Sequence, residues 1–155
     1  MSTNYRSPAE VFDLASRVVV QAYPDADLPS AVRSTGVEPL LAVARDLQAD
    51  VVEHVRALLD EVAGTVGVIC PPSRRAAVEE HLTAANLDGA DRVAVVTSLE
   101  SKGLEYDGVL VVTPDDVVTE SPGGVRSLYV ALTRPTQRLV TLDEGAPGSW
   151  RPSQG

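Results

Sequence analysis

Hydrophobic positions along the chain fall into short apolar runs separated by longer stretches with helical spacing. Val11, Leu14, Ala15, Val18, Val19 and Ala22 recur on one helical face, which predicts a first helix ending before Pro24. Ser7 is its expected N-cap, Pro8 its first helical residue, and Glu10 the partner that completes a capping box. Residues 23–39 contain three prolines and one glycine and read as a surface connection. Residues 40–44 are apolar and short, a strand. Asp46 then caps a second helix with an apolar stripe of Leu47, Val51, Val55, Leu58, Leu59 and Val62, stopped at Gly64.

The alternation continues. Residues 65–70 predict a strand, 73–85 a helix that turns Val78, Leu82 and Ala85 inward, and Asp88-Gly89 a turn into a strand over 92–97. Residues 98–107, SLESKGLEYD, form a polar break before the next apolar run, 108–113. Residues 114–122 read as an acidic, irregular connection. A helix follows from the Gly123-Gly124 break and ends before Pro135, because the residue preceding a proline is pushed out of the α region. Residues 138–142 supply a last strand. The short β-rich runs suit strands buried on both faces, so the expected fold is α/β, a doubly wound and mostly parallel sheet.

Composition narrows the function. The 155 residues bury enough surface for one domain. Net charge is −9, with 22 acidic against 13 basic residues, which opposes binding to phosphate backbones by bulk charge. Cys70 is the only cysteine, so neither an internal disulfide nor a cysteine-based metal site is available, and it reads as a small core residue. His54 and His81 show no ligand spacing. No run of 18 apolar residues and no signal-peptide pattern occurs, so a cytoplasmic location and no membrane contact are expected.

The chemistry concentrates in two segments. In parallel sheets ligands sit outside the carboxyl ends of strands, and the break at 98–107 leaves such an end carrying Ser101, Lys102, Gly103, Glu105 and Asp107. Lys102 is the only lysine in the chain. Read alone, this is a solvated loop in which Gly103 makes a turn and Glu105 balances Lys102, a pair worth under about 1 kcal/mol. The second segment, LYVALTR over 128–134, places Arg134 at a helix exit, with Tyr129 turned toward the core.

Together SKGLEYD and LYVALTR resemble motifs V and VI of superfamily 1 helicases and translocases of the UvrD/Rep kind, and Asn4-Tyr5-Arg6-Ser7 resembles motif IV. The three stand in that family's order. The resemblance implies that residues 1–144 are the C-terminal RecA-like domain of a two-domain ATP motor, with 145–155 a flexible tail in which Trp150 is the one feature able to dock. It implies that Arg6 and Arg134 reach the γ-phosphate of ATP, where a planar guanidinium can bridge two oxygens of the phosphoryl group in transfer. Glu105 would accept from the ribose, Gly103 would let the backbone pass close to the nucleotide, and Lys102 belongs to the same nucleotide-binding loop. Thr97 and Ser98 fall at the family's nucleic-acid contact.

No GxxxxGK[ST] occurs, so the phosphate-cradling loop and its Mg²⁺ are expected on an N-terminal P-loop domain of a larger parent. Two departures favour the HelD-like branch, which acts on bacterial RNA polymerase, over strand unwinding: Leu99 stands where DNA-unwinding members carry a histidine, and no large insertion is present. Weak DNA binding follows from both. Pro135 replaces the family's usual alanine. The competing expectation is a non-catalytic α/β interaction module derived from such a domain.

Overall fold

The computed structural model describes residues 8–25 and 37–152. Arg6 and the Ser7 cap lie outside them. The elements, in order, are α1 Ala9–Ala22, β1 Leu40–Ala44, α2 Leu47–Glu61, β2 Val66–Ile69, α3 Arg75–Ala85, β3 Val93–Val96, α4 Ser98–Ser101, β4 Tyr106–Val112, α5 Pro114–Glu120, α6 Val125–Leu132 and β5 Pro135–Glu144. All strand pairs are parallel, in the order β1-β5-β4-β2-β3.

The apolar runs explain the layers. On the central strand β4, Leu110 and Val112 face one side and Val109 and Val111 the other, so both faces need cover. One face is covered by α2 and α3 through Val51, Val55, Leu58, Val78 and Leu82. The other is covered by α1, α5 and α6 through Val11, Leu14, Val18, Val117, Leu128 and Leu132. Because β2 leaves by α3 on one face and β4 by α5 and α6 on the other, the topological switch lies between these two adjacent strands.

Local chemistry fixes several boundaries. Asp46 caps α2 by accepting from Ala49 N at 3.4 Å. The far end of α2 is closed by Arg92, which donates to the carbonyls of Leu59 at 2.8 Å, Val62 at 2.9 Å and Gly64 at 2.8 Å. A cation bonded to orphan carbonyls is favourable at a helix C-terminus. α3 ends at Asn86, whose φ of 50° is left-handed.

Outside the 98–107 break the structure departs from the sequence reading in four places. Residues 114–120 form a helix, not an irregular connection: Pro114 occupies the first turn, and Asp115 and Asp116 face the positive end of the helix. β5 is longer than 138–142, because pairing with β4 extends it back to Pro135 across a register shift at Tyr106/Gly108 and pairing with β1 extends it on to Glu144. Pro8 immediately precedes α1 instead of starting it. The tail is docked through Arg151: Trp150 is 5% exposed, its Nε1 donates to Asp143 Oδ1 at 2.7 Å and its backbone N to Asp115 Oδ1 at 2.8 Å. Asp143 also pairs with Arg151 at 3.0 Å. A buried carboxylate and a buried indole N–H each need a partner, and here Asp143 of β5 and Trp150 of the tail satisfy one another.

Candidate functional site

SLESKGLEYD does not remain at the carboxyl end of the sheet, where the sequence alone placed it. Thr97 and Ser98 leave β3 at that end. A single turn, α4, then reverses the chain, and residues 102–105 descend to the amino end of β4, where Tyr106 lies level with Pro135 at the start of β5. The physical cause is the parallel connection, since β4 must begin at the edge opposite to the one at which β3 ends.

The turn is strongly built. Thr97 Oγ1 accepts from Glu100 N at 3.3 Å, and Glu100 Oε1 accepts from Thr97 N at 2.9 Å, a complete capping box. Glu100 also pairs with Arg75 at 2.7 Å, which ties the turn to α3. The Thr97 N–H, foremost, and then Arg75 hold the Glu100 carboxyl below its ordinary value. Ser98 is buried; its Oγ donates to Ser127 O on α6, and Ser101 Oγ donates to Ser98 O at 2.7 Å. Ser98 therefore anchors the turn, with its hydroxyl committed inside the chain.

Arg134 closes the corner. Its Nε donates to Val130 O at 2.9 Å, one terminal nitrogen to Leu104 O at 3.1 Å, and the other to Thr133 Oγ1 at 3.2 Å. Arg134 O accepts from Tyr106 N at 3.1 Å. The guanidinium thus joins the exit of α6 to the KGLE segment. A guanidinium has five N–H groups, and the remaining ones have no partner among the described residues. Tyr106 lies beneath, buried, with its ring where a Cβ on Gly67 would lie 2.6 Å from Cδ2. Burial pushes the Tyr106 hydroxyl up, and Arg134 partly opposes that shift.

Lys102, Gly103 and Glu105 are exposed. Gly103 has a φ of 84°, the left-handed region that favours glycine, and no atom lies within 4 Å of a Cβ placed there. The structure thus brings Arg134 and residues 103–105 to one corner of the amino edge, while Lys102 lines a cleft with Leu99 and Arg126 beside α4. Thr97 and Ser98 stand at the other end of the turn. Thr133 and Tyr106 support Arg134 and were not singled out from sequence; a hydroxyl beside the arginine at a helix exit is the only signal that pointed to the first.

Opposite this corner, the switch between β2 and β4 is filled from within. Glu120, the last residue of α5, accepts from Ser73 N at 3.0 Å and Ser73 Oγ at 2.7 Å. Arg74 reaches Glu144 at 2.9 Å and Asp116 at 3.5 Å. The donors that could meet an anion there already hold carboxylates. No group of three or more His, Cys, Asp or Glu side chains among the described residues is arranged to hold a metal ion, and no described helix is long and apolar enough to cross a membrane.

No protein-family model and no curated protein matches this chain. Among solved structures it is similar to the C-terminal domain of a possible DNA helicase from Lactobacillus plantarum WCFS1, with a TM-score of 0.70 and 22% identity over 97% of this chain and 94% of that one. At that identity the likeness establishes the fold: a five-stranded parallel α/β sheet flanked by helices, consistent with a RecA-like arrangement.

Proposed function

We propose that this chain is the C-terminal RecA-like half of an ATP-driven superfamily 1 helicase or translocase. The observation that carries the reading is the joining of two sequence-distant motifs by one side chain: Arg134 of LYVALTR bonds to Leu104 O of SKGLEYD at 3.1 Å. A guanidinium pinned by its own chain on one side, with N–H groups remaining, is pre-organised to meet charge that develops on a neighbouring molecule. The fold likeness to a domain described as part of a possible DNA helicase is in keeping with it.

In this reading ATP and its Mg²⁺ are held mainly by a P-loop domain of the same parent, which supplies the metal ion and the phosphate cradle. This chain contributes Arg134, with Arg6 in the same role, to the γ-phosphate. Glu105 accepts from the ribose, and Gly103 and Lys102 shape the loop beside it. The residues present fit that share of the work, because the corner offers a guanidinium, a carboxylate and an open glycine. Among the described residues it offers no carboxylate cluster that could hold a cation. Thr97 and Ser98 take the nucleic-acid side in this reading. With Leu99 in place of histidine and a net charge of −9, DNA binding is weak, and the HelD-like branch with RNA polymerase as partner is favoured over strand unwinding.

A second reading has its own support. The bonds Arg134 makes within the chain are a sufficient structural reason for an arginine, as in an interaction module that has lost the motor. Separating the two takes the parent protein. The motor reading expects ATP turnover by the parent and none by this chain alone. Turnover of about 1 per second by the isolated chain, or none by a parent carrying an intact P-loop, contradicts it.

A further inference from the structure

Beside the Arg134 corner, Lys102 and Arg126 line one shallow cleft of about 240 Å³, floored by Val130 and edged by Leu99 and Pro122. Arg17, Arg56, Arg74, Arg75, Arg138 and Arg151 each face a carboxylate within 3.5 Å. Lys102 and Arg126 form no ion pair among the described residues, although the chain carries 22 acidic residues. Leu99 is 70% exposed, more than any other large apolar side chain described. The cause is local: Ser98 and Ser101 turn inward to anchor α4, which leaves Leu99 pointing out. Arg126 is held in place by Tyr23, whose ring centroid lies 4.7 Å from the guanidinium carbon.

We propose that this cleft docks a short acidic segment of a partner protein, with one apolar side chain seated against Leu99 and Val130 and two carboxylates meeting Lys102 and Arg126. Charge complementarity selects this occupant. The cleft holds about one large side chain, and two cations match two carboxylates. Single-stranded nucleic acid fits less well, because its affinity grows with the number of phosphates neutralised, and two cations on a chain of net charge −9 neutralise few. Strand binding also relies on open aromatic faces, and Arg126 already covers Tyr23.

The test is fluorescence anisotropy on this chain with two labelled probes, a nine-residue Asp/Glu peptide with a central leucine and an oligo-dT of similar length. The expected result is peptide binding on the order of 10 μM, weakened at least about tenfold by Arg126→Glu and by serine in place of the peptide's leucine. Oligo-dT should bind at least about tenfold more weakly than the peptide. Arg126 is exposed, so the variant should retain its fold, which circular dichroism checks. No peptide binding, binding indifferent to Arg126→Glu in the folded variant, or tighter binding of oligo-dT overturns the proposal.

Discussion

The two edges of the sheet use the same kinds of side chain to opposite ends. At the carboxyl edge three groupings close on themselves: Ser73 with Glu120, Arg74 with Glu144 and Asp116, and Trp150 with Asp143 and Asp115. At the amino edge Arg134 bonds only to oxygens that carry no formal charge, two backbone carbonyls and the Thr133 hydroxyl, while Gly103 and Glu105 remain exposed. A guanidinium neutralised by a carboxylate has little left for a phosphate, whereas one held by neutral acceptors keeps its full charge. The switch between β2 and β4 is therefore occupied by the chain's own side chains, and the exposed groups of the two candidate motifs stand at the opposite edge.

The largest effect on stability is expected from opening the tail contact. Trp150→Ala removes a buried aromatic and leaves Asp143 without its indole donor, so it should cost about 4 kcal/mol in urea unfolding. Trp150→Phe keeps most of the apolar area and should cost about 1 to 2 kcal/mol. If both variants unfold at the wild-type midpoint, the tail does not close the edge. A smaller effect concerns Glu120, whose carboxyl is held below its ordinary value, first by the Ser73 hydroxyl and then by the Ser73 backbone N–H. A depressed carboxylate contributes stability that is fully present above its unfolded value and is lost as pH falls through its folded one. Melting temperature should therefore fall as pH drops below the ordinary carboxylate value near 4.5, and Glu120→Gln should flatten that part of the profile. The group is exposed, so the contribution is under about 1 kcal/mol. The smallest is chemical: burial pushes the Cys70 thiol up to about 12, so it should resist maleimide at neutral pH until the chain unfolds. Rapid labelling of the native chain would show that the end of β2 is open.

Most of the fold was legible because its signals are local. Residues 40–44, the Asp46 cap, and the helix between Gly124 and Pro135 follow from apolar spacing and from the residues that start and stop helices. α5 was not read as a helix because its acidic run resembles a solvated loop; Pro114 followed by two aspartates was the overlooked start signal. The docked tail depends on Asp115 and Asp143, distant in sequence, and nothing local announces that contact. The candidate motifs SKGLEYD and LYVALTR were legible as strings, and the edge at which they meet was not, because it depends on how β3 and β4 are connected. Arg92, which closes α2, was read only as the start of a strand, since its carbonyl partners lie about thirty residues earlier.

The central claim is that Arg134 acts on a phosphate held elsewhere, and single-turnover ATP hydrolysis by the parent protein tests it most directly. Arg134→Ala and Arg134→Lys should each lower the hydrolysis rate by about 10³ to 10⁵ while ATP affinity changes far less, because the contact strengthens as charge develops in transfer. Lysine should not rescue, since it cannot present two N–H groups in a plane. Folded variants that hydrolyse ATP within about tenfold of wild type would contradict the account and leave Arg134 as a strut between α6 and KGLE.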